Sequence, residues 1–148
     1  MGYFFINHTL VAAVLSWFVA QLMKTIIDFF MQKKFSVERL TGSGGMPSSH
    51  TALVSAMAIS VARIDGFYST QFAIAFVFAL VVMYDASGVR RAAGQHAKEI
   101  NKLKEQIDLL DGERDNIDPE LKELLGHTPL EVLGGALLGI AIAMLLPL

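Results

Sequence analysis

The sequence is poor in the residue types that support several kinds of function. It contains no cysteine, one tryptophan and four prolines in 148 residues, and only 18% of the residues are charged. Without cysteine the chain has no disulfide framework, no thiolate metal site and no cysteine nucleophile. Lys and Arg (12) nearly balance Asp and Glu (14), and the net charge of −2 gives no overall basic field for a nucleic acid. We therefore expect no nucleic-acid partner.

Apolar residues, in contrast, are abundant. They make up 53% of the chain, and the mean hydropathy is +0.49. A soluble domain of this length cannot bury so much apolar surface, and a disordered chain does not carry it. The composition predicts an all-α polytopic membrane protein, in which residues 1–148 form one integral membrane domain.

Four apolar stretches approach the roughly 20 residues that a helix needs to cross a bilayer. They cover residues 3–23, 50–64, 70–84 and 130–148. The second and third stretches are short, so we expect protein or a thinned interface to shield their ends. The sequence thus predicts a membrane helical bundle with four spans.

The basic residues indicate which way the bundle faces. With these spans, eleven of the twelve Lys and Arg residues lie on one side of the membrane, and only Arg63 lies on the other. Under the positive-inside rule, the side with eleven basic residues is cytoplasmic. We expect an integral protein of the plasma membrane with both termini outside and its polar clusters on the cytoplasmic side.

A polar stretch, residues 92–125, separates the third and fourth spans and is expected to form a cytoplasmic helical insertion. Within it, Ile100, Leu103, Ile107 and Leu110 recur at helical spacing among charged residues. Such a helix either rests on its own chain or on the membrane, or forms a short seam between two copies. The second arrangement would make the protein a homodimer.

A second, shorter helix is predicted at the end of this insertion. Asp118 and Pro119 fit an N-cap followed by proline at the first helical position, and Gly126 fits the residue after a helix end. Gly112 is expected to end the longer helix that precedes it.

The first of three polar clusters lies where the second span begins. Residues 44–51 form a glycine-rich turn in which Ser48 or Ser49 fits an N-cap. A helix N-terminus after such a turn suits a phosphate, because it offers free backbone N–H groups and the positive end of the helix dipole. An ordinary capped helix start explains these residues equally well. It does not explain His50, whose imidazole suits proton transfer near neutral pH.

The second cluster lies where the third span ends. Asp85 at the end of an apolar helix needs a partner, and Lys24, Arg90 and Arg91 are the candidates. An arginine fork also matches the oxygens of a phosphate group. The alternative is that the two arginines only anchor the span at anionic headgroups.

The third cluster opens the fourth span. Thr128 as N-cap, Pro129 as the first helical residue and Glu131 form the pattern of a capping box. That pattern does not explain His127. The carboxylate of Glu131 could hold the His127 ring through one of the ring nitrogens. Lys24 ends the first span at the same face, where snorkelling alone could place it. Two histidines among cations favour phosphoryl transfer.

Three blocks of the sequence resemble a known family. Residues 44–50, 84–91 and 126–132 look like the divergent branch of the type 2 phosphatidic acid phosphatase superfamily, which is related to vanadium-dependent haloperoxidases. The resemblance covers essentially the whole chain. It implies a helical bundle that works without a metal ion or another cofactor.

The resemblance also implies roles for the site residues. His127 would be the nucleophile, Glu131 would orient its ring in place of the family's aspartate, and His50 would be the general acid. The predicted site has His127, His50, Glu131 and Asp85 as catalytic residues and Lys24, Arg39, Ser48, Ser49, Arg90 and Arg91 as phosphate-binding residues.

Two features depart from the family pattern. Arg39 is followed by Leu40 where the family has proline. More than thirty residues separate Arg91 from His127, where the family has a short spacer. An insertion of this size can loop out if its ends stay close together.

The sequence therefore predicts a metal-independent lipid-phosphate phosphohydrolase that acts on a phospholipid or a polyprenyl phosphate. A second interpretation is a protein that binds or translocates such a lipid through the same anion pocket without cleaving it. A third is a scaffold whose cytoplasmic helix recruits or dimerises. The expected partners are the lipid bilayer, a lipid-phosphate substrate and a second copy of the chain.

Overall fold

The computed structural model describes residues 7–32, 45–111, 121, 123 and 125–147. Every regular element among these residues is a helix, so the predicted all-α class is confirmed for them. The helices are α1 (His8–Gln32), α2 (Ser49–Asp65), α3 (Thr70–Ser87), α4 (Val89–Asp111) and α5 (Pro129–Leu145).

Helix α2 lies at the centre of the bundle, where α1, α3 and α5 pack around it. Its buried side chains are alanine, serine and threonine, with Val54 as the one larger residue. Small side chains let neighbouring helix backbones approach closely, which is how helices associate in lipid. Because three helices cover it, α2 does not need the strongly apolar outer face that a lipid-exposed helix requires.

Hydrogen bonds near the helix ends fix the directions of the helices. The Ser48 amide donates to the Glu131 carbonyl at 3.0 Å, so α2 and α5 begin side by side and run parallel. The His127 amide, just before α5, donates to the Ala86 carbonyl near the end of α3 at 2.8 Å. Helix α3 therefore runs antiparallel to α2 and α5, and its last turn lies beside their first turns.

Large apolar side chains point away from the bundle, and small ones point into it. Along α1, Leu10, Val14 and Phe18 are more than half exposed, whereas Ala12 and Ala20 are fully buried. A chain folded in water hides its large apolar residues, so this distribution is the one expected of helices in lipid. The same outward placement on α3 and α5 includes Ile74, Val77, Phe78, Val81, Leu133 and Leu137.

Two glycines allow α5 to lie directly against α2. A Cβ atom on Gly135 would meet the Ser48 carbonyl oxygen, and a Cβ atom on Gly139 would meet the Ala52 carbonyl oxygen. The two glycines lie four residues apart on one face, which is the spacing of closely packed membrane helices. A larger residue at either position requires α2 or α5 to move.

Two helical segments, His8–Phe30 and Thr70–Ile107, are long and apolar enough to cross a membrane. Helix α5 is apolar but shorter. At a rise of about 1.5 Å per residue, α2 and α5 each measure about 25 Å, slightly less than a hydrocarbon core of about 30 Å. The count of four spans stays a prediction.

Helix α1 extends beyond its predicted end. The predicted span ends at residue 23, but α1 continues to Gln32. No proline or glycine occurs between Lys24 and Gln32, and Lys24 itself is only 4% exposed. The first lysine therefore ends the continuous apolar stretch but not the helix.

The polar insertion agrees with its prediction in one part and differs in another. The amphipathic helix is present as α4, which begins at Val89. Leu121, Glu123 and Leu125 fall in the predicted second helix but are not helical. The Asn101 amide group donates to the Leu121 carbonyl at 2.9 Å, and its side-chain oxygen accepts from the Leu121 amide at 3.1 Å. The Leu121 amide and carbonyl therefore bond to a side chain of α4 instead of to the backbone of a second helix.

The predicted helix-end residues Gly112, Asp118 and Pro119 lie outside the described residues.

Arg63 joins α2 and α5 at the end of the bundle opposite Lys24. Its guanidinium donates to the carbonyl oxygens of Ala143 and Leu146, the second at 2.9 Å. The last carbonyls of a helix have no partner within the helix, and a cation placed there also complements the helix dipole. Arg63 therefore caps α5 with a side chain from α2.

Candidate active site

The site begins where α2 and α5 start next to each other. Ser48 is the N-cap of α2, and its hydroxyl oxygen accepts from the Thr51 hydroxyl at 3.0 Å and from the Thr51 amide at 3.4 Å. Its own amide donates to the Glu131 carbonyl in the first turn of α5. Two helix N-termini, each with a positive dipole end, therefore lie side by side, which favours an anion at this position.

His127 lies immediately before α5 and is 7% exposed. Its Nδ1 atom lies 2.9 Å from Oε2 of Glu131. A carboxylate on Nδ1 favours the tautomer in which Nδ1 carries the proton, and this leaves the lone pair on Nε2. Nε2 is therefore the ring atom that can act as a nucleophile or accept a proton.

The capping box at the start of α5 holds Glu131 in this position. The Glu131 amide donates to the Thr128 hydroxyl, and the Thr128 amide donates to Oε2 of Glu131, both at 3.3 Å. The same carboxylate oxygen thus accepts from the backbone and contacts the His127 ring. The predicted capping box and the predicted contact between Glu131 and His127 are both present.

Gly126 brings His127 to the site across the long insertion. Gly126 has a φ of +82°, and a Cβ atom there would lie 2.7 Å from the Arg91 Cα atom and 2.8 Å from the Arg90 carbonyl carbon. Only glycine combines this left-handed conformation with such a close backbone approach. The ends of the insertion therefore meet. The sequence predicts a helix end at Gly126 and gives no sign of this contact.

Asp85 and Arg90 form an ion pair where α3 passes into α4. The Arg90 Nε atom donates to Asp85 Oδ2 at 2.6 Å. The side chains are 39% exposed for Asp85 and 58% exposed for Arg90, so the pair adds little to folding stability. It does hold the guanidinium in one orientation. Among the three predicted partners of Asp85, the structure selects Arg90.

Lys24 reaches the site from α1. Its aliphatic stem packs under the turn that precedes α2, where a Cβ atom on Gly45 would lie 3.0 Å from the Lys24 Cδ atom. Gly45 has a φ of +87° and so supplies a conformation that other residues rarely adopt. The turn can therefore lie flat on the lysine side chain, which is only 4% exposed.

His50 lies in the first turn of α2 with an exposed side chain. The first turn of α2 lies beside that of α5 through the hydrogen bond from the Ser48 amide to the Glu131 carbonyl. His50 therefore lies at the same end of the bundle as His127, next to the end of α3 where Asp85 and Arg90 pair. We refer to the set of Lys24, His50, Asp85, Arg90, His127 and Glu131 as the polar cluster.

The remaining predicted site residues have other positions. Ser48 and Ser49 are buried at the start of α2, and the Ser48 hydroxyl serves as the helix cap. The Arg91 backbone packs against Gly126, and its side chain is exposed. Arg39 lies outside the described residues. The structure therefore brings together residues from α1, α2, α3, α4 and α5, while their catalytic roles stay predictions.

The polar cluster is chemically suited to a phosphate ester. It combines two cations, two adjacent helix N-termini and a histidine with an oriented ring. Within the described part of the chain, no three His, Asp or Glu side chains are grouped closely enough to hold a metal ion.

Sequence comparisons relate the chain to known proteins. The pattern of a family described as the Divergent PAP2 family matches residues 5–142. A protein of Bacillus subtilis (strain 168), named Uncharacterized membrane protein YuiD, is 39% identical over 148 residues, which cover 95% of this chain and 94% of that protein. No solved structure matches the chain.

Proposed function

We propose, from the premise that the chain belongs to the Divergent PAP2 family, that it is an integral membrane phosphohydrolase acting on lipid phosphates. The observation that carries this proposal is the His127 ring, which has a carboxylate on Nδ1 and leaves Nε2 as the reactive atom. A general binding site for anions has no need of an oriented histidine. A covalent phosphoryl-transfer site does need one.

In the proposed reaction, His127 acts first. Its Nε2 lone pair attacks the phosphorus atom, a phosphorus–nitrogen bond forms, and the bond from phosphorus to the lipid oxygen breaks. His50, in its protonated form, gives a proton to the departing lipid alcohol. His50 then removes a proton from water, the resulting hydroxide attacks phosphorus, and the phosphorus–nitrogen bond breaks to release inorganic phosphate.

The phosphate oxygens would be held by Arg90 and Lys24. Arg90 is oriented by Asp85, and its planar guanidinium can bind two phosphate oxygens at once. Lys24 adds a second positive charge at a site that is largely shielded from water. These cations and the N-termini of α2 and α5 would stabilise the negative charge of the transition state.

The surface of the bundle favours a substrate that arrives through the bilayer. The outer faces of α1, α3 and α5 carry large exposed apolar side chains, so acyl or prenyl tails can remain in lipid. The headgroup would then enter at the polar end of the bundle. Because the basic residues gather at this end, we propose that the site faces the cytoplasm and receives lipids from the inner leaflet.

The first test is phosphate release by the purified full-length protein in liposomes. The substrates are phosphatidate, phosphatidylglycerol phosphate and a polyprenyl phosphate, each assayed with EDTA. We expect at least one lipid to be hydrolysed, while glycerol phosphate, which lacks the apolar tail, is hydrolysed far more slowly. Binding of these lipids by folded protein without any phosphate release would contradict the proposal and favour a binding or translocation protein.

A second prediction concerns Arg90. Replacing Arg90 with alanine should lower kcat/KM by about 10- to 100-fold, since a charge-assisted hydrogen bond contributes about 1.5–3 kcal/mol. Arg90→Lys should recover part of this loss because it keeps the charge but not the planar fork. The matched control is Lys98→Ala, which removes one exposed positive charge from α4. Equal losses in Arg90→Ala and Lys98→Ala would show that only net charge matters.

A further inference from the structure

Helix α4 carries a row of apolar side chains that nothing in the described chain covers. Ile100, Leu103 and Ile107 are 50%, 57% and 56% exposed. Among the described helices, α4 contacts only α3, from which it continues. We refer to these three residues as the apolar stripe of α4.

Another face of α4 is already occupied by the chain itself. The Asn101 side chain donates to the Leu121 carbonyl at 2.9 Å and to Oε1 of Glu123 at 3.0 Å. Gly94 lies so close to Glu123 and Leu125 that a Cβ atom would be 2.9 Å from the Leu125 carbonyl oxygen. The described residues of the segment that returns to the bundle, Leu121, Glu123 and Leu125, therefore pack on a face of α4 other than the apolar stripe.

The residues of the stripe have the pattern of a parallel two-stranded coiled coil. Ile100 and Ile107 lie seven residues apart, and Leu103 lies three residues after Ile100. In heptad terms, isoleucine occupies the a positions and leucine the d position, and this combination favours parallel dimers. The surface of α4 thus matches a second copy of itself.

The charges beside the stripe fit the same partner. In this register Glu99 lies at a g position, and Lys104, five residues later, lies at an e position. In a parallel pair, a g residue of one helix faces the e residue of the next heptad on the other helix. Glu99 pairs with Lys102 of its own helix at 2.8 Å, and Lys104 also has a partner within its own chain. Glu99 of one copy and Lys104 of the other would add a second interaction to each of these residues, once on each side of the pair.

We propose that α4 pairs with α4 of a second copy of this chain to form a parallel coiled coil, which makes the protein a homodimer. Copies inserted in the same orientation are related by a two-fold axis along the membrane normal, so helices that project from the bundle run parallel. Two heptads form a weak coiled coil in solution. Confinement of both copies to one membrane raises their effective concentration and offsets this weakness.

The composition of α4 favours a second copy over the membrane surface. Helices that lie on anionic membranes carry an excess of Lys and Arg on the polar face. Between residues 98 and 108, α4 has three basic and three acidic residues and so no net charge. These residues are Lys98, Lys102, Lys104, Glu99, Glu105 and Asp108.

Single cysteines test this pairing directly, because the natural sequence has none. In membranes that contain the full-length protein, Leu103→Cys should form a disulfide-linked dimer on mild oxidation, since d positions face each other across the seam. The matched control is Glu105→Cys, two residues further along α4 on an exposed face. We expect about fivefold or more cross-linked dimer with Leu103→Cys than with Glu105→Cys, because a disulfide requires Cβ atoms about 4 Å apart.

Ile100→Cys distinguishes parallel from antiparallel pairing. In a parallel pair, residue 100 faces residue 100 of the partner, so this variant should also cross-link to itself. Cross-linking that occurs only between a copy with Ile100→Cys and a copy with Ile107→Cys would overturn the parallel arrangement. Equal cross-linking of Leu103→Cys and Glu105→Cys would overturn the seam itself.

Charge reversal provides a second measurement that does not depend on disulfides. Glu99→Lys and Lys104→Glu should each reduce the dimer fraction counted by single-molecule photobleaching in liposomes, because like charges then face each other. The double variant should restore dimers, since it recreates the pairs with reversed sign. If α4 lies on the lipid surface instead, the dimer fraction does not respond to the single charge reversals and the double variant restores nothing. That result would overturn the proposal.

Discussion

Replacing His127 with alanine should lower the rate of phosphate release from the preferred lipid phosphate by roughly a thousandfold or more, which corresponds to about 4 kcal/mol in the activation barrier. The reason is that alanine removes the atom to which the phosphoryl group is transferred. Folding should be retained, because the contact between α3 and the start of α5 uses the His127 backbone amide and not its side chain. Phosphate release and thermal unfolding are measured on the same preparation.

The covalent intermediate provides the more specific readout. Wild-type protein mixed rapidly with a labelled lipid phosphate should carry phosphate that is stable in base and labile in acid, as expected for phosphohistidine. His127→Ala should carry none. His8→Ala is the matched control, because His8 is exposed at the beginning of α1, about 24 Å along the helix from Lys24 at a rise of about 1.5 Å per residue.

Two results would contradict the assignment of His127. One is normal turnover in His127→Ala, which would leave the polar cluster without a covalent role for this ring. The other is a phosphoenzyme that persists in His127→Ala, which would place the phosphoryl group on a different residue. If no variant and no wild-type preparation turns over lipid phosphates but all bind them, the binding interpretation replaces the hydrolase.

The sequence alone could predict those parts of the site that depend on neighbouring residues. Thr128, Pro129 and Glu131 specify a capping box, and this box places the Glu131 carboxylate one helical turn from His127. The spacing is local, so no knowledge of the packing is needed. The same is true of the Ser48 cap at the start of α2.

Family membership was also predicted from the sequence and is confirmed, since the Divergent PAP2 pattern matches residues 5–142. The resemblance rests on three short blocks, residues 44–50, 84–91 and 126–132, which can be recognised without knowing the spacing between them. The finer inferences, namely hydrolysis, substrate and sidedness, stay proposals because a family description specifies no reaction for this chain.

Contacts between distant segments could not be predicted in the same way. The sequence predicts a helix end at Gly126. In the structure, the absence of a side chain at Gly126 allows its backbone to lie against the backbone of Arg91. Asn101 looks like one polar residue among many on α4, but it binds the backbone of Leu121. Both contacts depend on how the insertion folds back, and sequence periodicity carries no information about that path.

The choice of Arg90 over the other candidate partners of Asp85 has a similar origin. The sequence places Lys24, Arg90 and Arg91 near the same membrane face. The direction of each side chain depends on the change of backbone course at Gly88, where α3 ends with φ −105° and ψ −86°. The ion pair between Asp85 and Arg90 spans this junction.

The second large effect is expected at Gly139, in the contact between α2 and α5. Gly139→Ala places a Cβ atom against the Ala52 carbonyl oxygen and 3.0 Å from the Ala56 amide nitrogen. Both neighbours are backbone atoms of the central helix, which α1 and α3 hold in place, so they cannot yield cheaply. We expect a loss of about 1–3 kcal/mol in the free energy of unfolding, and a larger loss for Gly139→Leu.

Gly134 provides the matched control for this prediction, because it lies on the same helix but faces a flexible neighbour. A Cβ atom at Gly134 would lie 3.2 Å from the Met46 Cε atom, the end of an unbranched side chain that can turn aside. Alanine also favours the helix by about 1 kcal/mol relative to glycine. Gly134→Ala should therefore leave the unfolding temperature unchanged or raise it, while Gly139→Ala lowers it.

The same pair of variants connects packing to the site. Because α2 and α5 begin side by side through the hydrogen bond from Ser48 to Glu131, a displacement of α5 at Gly139 also shifts Glu131 relative to His50. Gly139→Ala should thus lose phosphate release even below its unfolding temperature, whereas Gly134→Ala retains it. Equal unfolding temperatures and equal activities in the two variants would mean that α5 does not depend on close backbone contact with α2. The parallel arrangement of the two helix N-termini would then need another cause.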